Sequence, residues 1–211
     1  MEHDMINWYG WAALAFLLAY LALFYWGTFR AANAAGRTVW LIGQEGGHDR
    51  LAALGYRAAF SMALFGPLIW MNLPLVQRLD PLWTEGSFPL LGTLGLISAG
   101  TGALIAMVAQ LTMGASWRVG VKEGATGDLV SGGIFKFSRN PTFVGQFLLL
   151  VGVALAIPSL PTAVAPLLFI RLASSQVRSE ETALRAAIGT EYEVYMASVP
   201  RWIGLSRKKA S

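Results

Sequence analysis

Two short polar segments in the second half of the chain carry side chains that could bind a charged small molecule. One ends in the stretch SRNP, in which Arg139 and Asn140 precede a proline and a long apolar run. The other contains RSEE, with Arg178 followed by Glu180 and Glu181. Guanidinium groups bind carboxylates through paired hydrogen bonds, and carboxylates accept hydrogen bonds from amines and hydroxyls. If the two segments meet, they suit a zwitterionic ligand.

Aromatic residues stand next to the first polar segment, at Phe135, Phe137 and Phe143. They could pack against an aromatic part of such a ligand. Plainer interpretations exist, because a lone Arg139 at the end of an apolar helix could simply reach lipid headgroups. The two glutamates could be solvated residues near a helix N-terminus. The combination of two guanidiniums, two carboxylates and aromatic rings favours ligand binding.

The composition decides what must position these residues. Of 211 residues, 55% are hydrophobic and only 13% are charged, and the mean hydropathy is +0.52. An ordinary soluble domain has about 25% charged residues. A helix needs about 20 residues to cross a bilayer. The sequence predicts an all-α, polytopic membrane protein with about five transmembrane helices, in the apolar runs 6–29, 58–76, 88–111, 142–157 and 162–173.

Three features refine these spans. Pro67 and Pro74 are expected to kink the second one. Gly95, Ala99 and Ala103 form a small-residue stripe in the third, which favours close helix packing. The last two runs are short and meet at PSLP, so they predict a tight helical hairpin that stops before the far interface.

The distribution of Lys and Arg predicts the orientation. One side receives nearly all of them, including Arg30, Arg37, Arg50, Arg118, Lys122, Lys136, Arg139, Arg178, Arg185, Arg201, Arg207, Lys208 and Lys209. Arg78 alone falls on the other side. Cytoplasmic loops carry the excess of basic residues. The N-terminus is therefore predicted outside, and the C-terminus and the candidate site in the cytoplasm.

The segment after the hairpin predicts amphipathic helices at the membrane interface. A pause at Gly189, followed by a capping-box pattern at Thr190 and Glu193, indicates a helix stop and restart. The apolar residues at helical spacings are Leu184, Ala187, Ile188, Tyr195 and Val199.

Several function classes lack support in the sequence. Cysteine is absent and only His3 and His48 are present, so a metal site is not predicted. Neither a dinucleotide-binding glycine motif nor a phosphate-binding loop occurs. A basic groove with interleaved aromatic residues is also missing, so nucleic acid is not an expected partner.

Two stretches that are separated by the predicted hairpin are DLVSGGIFKFSRNPTFVGQ and RSEETALRAAIGTEYEVYMASVPRWI. Together they resemble the isoprenylcysteine carboxyl methyltransferase family and the related phospholipid methyltransferases. The resemblance covers residues 117–203. It implies an integral membrane enzyme that binds S-adenosylmethionine on the cytoplasmic side and takes a lipid or hydrophobic acceptor from the bilayer. The implied cofactor-binding residues are Leu129, Val130, Gly133, Phe135, Arg139, Asn140, Phe143, Glu180 and Glu181. The implied catalytic residues are Arg139, Arg178 and Glu181.

The length suits one domain over 1–211. Residues 1–111 form three N-terminal transmembrane helices, and residues 112–211 form the cofactor-binding loop, the hairpin and the amphipathic helices. Two positions depart from the common family motif, which has histidine and tyrosine where this chain has Asn140 and Phe143. An amide cannot titrate near neutral pH, so a histidine-like base is not expected at position 140.

Methyl transfer from a sulfonium requires alignment and exclusion of water. An amine acceptor would also need a base, for which Glu180 and Glu181 are the candidates. The acceptor group remains open among carboxylate, amine and thiol. Two other classes of function remain as alternatives: a nicotinamide-dependent membrane reductase of the sterol-reductase type, and a non-enzymatic membrane subunit or small transporter.

Overall fold

The computed structural model describes residues 2–36, 38–39, 48–82, 89–119 and 128–204. The described residues form α-helices joined by short loops, without a β-strand among them. Two short 3-10 turns occupy Gly114–Ser116 and Gly133–Lys136. The helices are α1 (Glu2–Ala35), α2 (His48–Asn72), α3 (Pro74–Leu79), α4 (Pro89–Met113), α5 (Pro141–Ala156), α6 (Leu160–Ile188) and α7 (Thr190–Ser198).

The predicted all-α polytopic membrane fold is confirmed. Among the described residues, three stretches are long and apolar enough to cross a bilayer: Trp8–Ala35, Pro89–Ser116 and Leu160–Ile188. The apolar helix Pro141–Ala156 is shorter. Large apolar side chains are exposed on α4, including Leu90 and Leu104, as expected of a surface that faces lipid. The number of about five spans stays a prediction.

The second apolar run differs from its predicted bounds of 58–76. Here α2 begins earlier and ends at Asn72, with Pro67 inside it. The break falls at Leu73, which is extended with φ −120° and ψ 97°. A residue before proline avoids the helical region, so Pro74 ends α2 and begins α3.

Close backbone contact joins α4 to α5. A Cβ atom added at Gly145 would lie only 2.5 Å from the carbonyl oxygen of Gly102, and one added at Gly95 would lie 2.7 Å from a backbone nitrogen of α5. The predicted packing stripe is thus present at Gly95 and Ala99. It continues through Gly102 rather than Ala103, because a helix has 3.6 residues per turn and a strict spacing of four drifts off the contact face.

The predicted hairpin is formed by α5 and α6, which are joined by residues 157–159. Its turn is fixed by a capping box between Ser159 and Thr162, and by Asp80, whose Oδ2 accepts the backbone N–H of Leu160 at 2.8 Å. The second arm is longer than the predicted 162–173, because α6 continues to Ile188. Residues 174–188 contain neither glycine nor proline, so nothing ends the helix before Gly189.

Gly189 separates α6 from α7 through a left-handed backbone with φ +65°, as the predicted stop and restart require. The predicted capping box is wrong: Thr190 is already the first residue of α7, and no side chain caps that helix. A small core on α7 and directly after it consists of Tyr192, Tyr195 and Val199. Leu184 and Ile188 of α6 pack against this core. The apolar face of this segment is therefore covered in part by protein.

Some residues of the predicted charge pattern lie outside the described residues. They are Arg37, Lys122, Arg207, Lys208 and Lys209, together with the side chain of Arg50. Residues 120–127 of the predicted cofactor-binding loop also lie outside the described part of the chain, as do residue 1 and the side chains of residues 2–7.

Candidate active site

A cleft opens where segment 128–140 meets the start of α5, the polar half of α6 and α7. It contains about 1010 Å³ of empty space, part of which is open at the surface. The predicted site residues that line it are Leu129, Val130, Phe135, Arg139, Asn140, Phe143, Glu180 and Glu181.

Three residues considered from the sequence do not line the cleft. Gly133 begins the 3-10 turn, and Phe137 is 58% exposed. Arg178 is exposed on α6. The cleft face of α6 carries Gln176 and Glu180, four residues apart. Arg178 lies two residues from each, about 200° around the helix axis, so its side chain leaves on the opposite face.

Glu181 is the centre of a charged cluster. It is 5% exposed, and its Oε1 lies 3.1 Å from Nη2 of Arg139. Arg201 approaches from the other side, with Nε 3.0 Å from Oε1 and Nη2 2.5 Å from Oε2. The two guanidiniums expected in the site are therefore those of Arg139 and Arg201, not Arg178. Both carboxylate oxygens of Glu181 are occupied, so it holds the two arginines in place.

The backbone around Arg139 is tied to the C-terminal segment. Its N–H donates to the carbonyl of Pro200 at 3.0 Å, and the side-chain Nδ2 of Asn140 donates to the carbonyl of Arg201 at 2.9 Å. Asn140 N–H bonds in turn to Ser138 Oγ at 3.0 Å. Arg201 was missed as a site residue because nothing local in PRWI distinguishes it from other basic residues. Only the tertiary contact reveals its role.

Arg139 has hydrogen-bonding capacity left over. Its side chain is 9% exposed, yet Nε and Nη1 have no hydrogen-bond partner. Leaving donors of a buried charged group unsatisfied costs at least about 1–3 kcal/mol each. An anionic group placed in the cleft at this residue would satisfy them. The cleft therefore fits a ligand with a carboxylate at the Arg139 end.

Tyrosines of α7 complete the wall. The hydroxyl of Tyr195 donates to the carbonyl of Phe135 at 2.8 Å and so holds the 3-10 turn. Burial raises the pKa of Tyr195. Burial and the neighbouring Glu181 carboxylate raise the pKa of Tyr192 to about 12. Both hydroxyls are therefore protonated at neutral pH. The hydrogen bonds that Arg201 donates to Glu181 raise the pKa of Arg201, which stays charged.

Two glutamines on the cleft wall were also missed. Nε2 of Gln176 lies 3.3 Å from Oε1 of Glu180, one turn further along α6. Gln146 lies inside the apolar run of α5 and contacts the hydroxyls of Tyr20 and Tyr56. Its position could have drawn notice, because a polar side chain inside a membrane helix is costly and frequently functional.

The described residues contain no group of three or more acidic, histidine or cysteine side chains that could hold a metal ion.

Comparison with known families decides the relationship. The family model of phospholipid methyltransferases matches residues 91–190. The resemblance seen in the sequence is thereby confirmed for this segment. No curated protein shows significant sequence similarity to the chain. The matched phospholipid methyltransferase segment runs from α4 through the hairpin to the start of α7 and contains Arg139, Glu180 and Glu181. Arg201 lies beyond it.

Proposed function

We propose that this protein is a membrane methyltransferase that binds S-adenosylmethionine in the cleft and transfers its methyl group to a lipid or hydrophobic acceptor. The observation that carries the proposal is Arg139, which lines the cleft and has two buried guanidinium nitrogens without hydrogen-bond partners. The phospholipid methyltransferase match over 91–190 supports the class of reaction. S-adenosylmethionine supplies a methyl group on a sulfonium, which is an electrophile that needs no metal.

The residues of the cleft suit the parts of this cofactor. Arg139 would donate to the carboxylate from Nε or from Nη1, the two nitrogens that Glu181 leaves free. Glu180 would accept hydrogen bonds from the amine or the ribose hydroxyls. The aromatic rings of Phe135, Phe143 and Tyr192 would pack against adenine, and Leu129 and Val130 would extend that apolar wall.

The roles within the charged cluster follow from its contacts. Glu181 is bonded to two guanidiniums, so it acts as a positioning residue for Arg139 rather than as a base. Glu180 is therefore the better candidate for accepting a proton from an amine acceptor. Asn140 does not titrate, and its amide donates to the Arg201 carbonyl, so it holds the loop. No catalytic role is proposed for Arg178.

Most of the acceleration would come from alignment and exclusion of water. In-line displacement at a methyl group needs the nucleophile directly opposite the leaving sulfur. The cleft adjoins apolar helices, so a hydrophobic acceptor would enter from the bilayer with its reactive group already desolvated. The excess of basic residues on the cleft side supports a cytoplasmic active site.

Calorimetry on the detergent-purified protein tests the proposal. S-adenosylhomocysteine should bind with micromolar or tighter affinity, and NADPH should not bind. Binding of NADPH alone would favour the reductase alternative, and binding of neither would favour a non-enzymatic membrane subunit. A matched titration of Arg139→Ala should abolish binding of S-adenosylhomocysteine if Arg139 holds its carboxylate.

A further inference from the structure

A buried polar cluster lies at the inner end of the cleft and is not used by the cofactor roles above. Gln146 of α5 is 2% exposed. Its Nε2 donates to the hydroxyl of Tyr20 on α1 at 2.6 Å and to that of Tyr56 on α2 at 2.7 Å. Three helices thus place one amide in a fixed orientation. Tyr20, Tyr56 and Gln146 are called the Gln146 cluster below.

Only the nitrogen of the Gln146 side-chain amide has hydrogen-bond partners. Oε1 of Gln146 is buried and has no hydrogen-bond partner, although Gln146 itself lines the cleft together with Tyr56. Gln146 lies one helical turn beyond Thr142 of the cleft wall, which is roughly 6 Å deeper along α5. A hydrogen-bond acceptor held this firmly and left without a donor is the kind of group that a bound molecule completes.

A second cavity contacts the same cluster at Tyr56. It lies between α1 and α2, contains about 670 Å³ of empty space and is lined mainly by apolar side chains such as Leu21, Phe60 and Leu64. Tyr56 lines both this cavity and the cleft, so it forms part of the wall between them. Arg57 is the charged side chain among the described residues that line the second cavity. An alkyl chain in this cavity would place its polar head at the Gln146 cluster.

We propose that Gln146 binds the acceptor, and that its Oε1 accepts a hydrogen bond from an amine N–H or a hydroxyl O–H of that molecule. This inference rests on the proposed methyl transfer and narrows its substrate class. A carboxylate has only lone pairs to present to Oε1, so it cannot donate the missing hydrogen bond. The cluster therefore selects an amine or an alcohol over a carboxylate, and Tyr20 and Tyr56 position Gln146.

The test uses amphiphiles that differ only in their polar head: dodecylamine, dodecanol and dodecanoate. Each is titrated into the full-length protein in nanodiscs that are saturated with S-adenosylhomocysteine. The wild type should bind the amine or the alcohol more tightly than dodecanoate. Gln146→Leu should weaken binding of the preferred amphiphile, dodecylamine or dodecanol, about tenfold and leave dodecanoate binding unchanged. The amine and alcohol titrations show which of the two donors is preferred.

Gln110→Leu is the matched control. Gln110 is also 2% exposed, donates through Nε2 to Phe24 O and Thr28 Oγ1, and has an unpartnered Oε1, but it does not line the cleft. Its substitution should leave the preference among the three heads unchanged. Tyr56→Phe keeps the aromatic ring and removes one hydrogen-bond partner of Gln146. It should therefore weaken binding of the preferred amphiphile, but by less than Gln146→Leu does.

Three results would overturn the inference. They are tighter binding of dodecanoate in the wild type, an unaltered preference in both Gln146→Leu and Tyr56→Phe, and an equal loss in Gln110→Leu. Failure of the proposed methyl transfer gives a different pattern, because wild-type protein would then not bind S-adenosylhomocysteine at all. Affinity for S-adenosylhomocysteine should be the same in Gln146→Leu and wild type, since Gln146 lies beyond the cofactor residues.

Discussion

The side-chain amide of Asn140 donates a hydrogen bond of 2.9 Å to the main-chain carbonyl of Arg201. This bond joins the loop before α5 to a segment about sixty positions further along the chain, at the point where the Arg201 guanidinium meets Glu181. The backbone N–H of Arg139 bonds to Pro200 beside it. The C-terminal segment therefore fixes both the backbone and the counter-charge of Arg139.

The two adjacent glutamates should respond differently to loss of charge. Glu181→Gln leaves two guanidiniums without their carboxylate, one of them 9% exposed, so it should destabilise the fold by roughly 1–3 kcal/mol. Glu180→Gln should leave stability near wild type and weaken S-adenosylmethionine binding by on the order of 1–3 kcal/mol. Thermal unfolding and calorimetry of both variants separate the effects. Equal behaviour in both assays would contradict these assignments.

The contact between α4 and α5 should tolerate no added atom. Gly145→Ala places a Cβ atom 2.5 Å from the carbonyl of Gly102, so the helices must separate, at a cost of about 1–3 kcal/mol. Gly132→Ala is the matched control, because a Cβ atom there has open space and φ is −89°. Thermal unfolding in detergent should show a lower midpoint for the first variant only. An unchanged midpoint in Gly145→Ala would show that the interface can relax.

Much of the fold could be predicted because membrane helices can be recognised from their long apolar runs. Apolar runs, the Gly95 and Ala99 stripe and the turn at PSLP all act locally, and each led to the observed element. The length of α6 could not be predicted in this way, because its polar half is stabilised by helix propensity and by packing on α7. A hydrophobicity criterion ends the helix where the apolar run ends.

The candidate site could likewise be predicted only where its residues form a local sequence pattern. Arg139, Glu180 and Glu181 stand in a recognisable pattern, and the structure brings them to one cleft. Arg178 belongs to that pattern by sequence position, yet the helical repeat turns it away. Arg201 and Gln146 act through partners 20 or more positions distant, so no spacing marks them. Long-range pairing is the information that a single sequence lacks.

High pH should destabilise the cleft through Tyr192. Its pKa in the folded protein is about 12, against the ordinary value of 10.0. Below pH 10 the tyrosine is protonated in both states, and its contribution to stability is complete. Between pH 10 and 12 the unfolded chain releases the proton and the folded chain retains it, so stability falls as pH rises. The thermal midpoint of the wild type should therefore drop more steeply over this window than that of Tyr192→Phe. Parallel slopes would contradict the shift.

The orientation predicted from basic residues can be tested with fusion reporters. A reporter at the C-terminus should be active in the cytoplasm, and one at the N-terminus should be active outside, because Arg118, Lys136, Arg139 and Arg201 lie on the cleft side. As a control, a reporter inserted after Asp80, beside the hairpin turn, should behave like the N-terminal one. Termini on the same side would require an even number of crossings.

The contacts of Arg139 predict that lysine cannot replace it. If the arginine only supplied a positive charge near headgroups, Arg139→Lys would be silent. In the structure one nitrogen, Nη2, is used by Glu181 while Nε and Nη1 remain free, and only a planar guanidinium can bind a carboxylate on each side. We expect normal membrane insertion and thermal stability within about 1 kcal/mol of wild type, because lysine can retain the Glu181 contact. Affinity for S-adenosylhomocysteine should fall at least about tenfold, equivalent to roughly 1.4 kcal/mol.

Arg178→Lys is the control for this change, since Arg178 is exposed on the far face of α6 and should give wild-type affinity. The lost affinity in Arg139→Lys should appear in methyl transfer as well, as a rise in the cofactor concentration needed for half-maximal rate. Because Nε and Nη1 are the donors assigned to the cofactor carboxylate, an amino-acid-free analogue such as methylthioadenosine should bind both variants and the wild type equally. A tenfold loss for methylthioadenosine in Arg139→Lys would mean that the arginine shapes the whole cleft instead of binding the carboxylate.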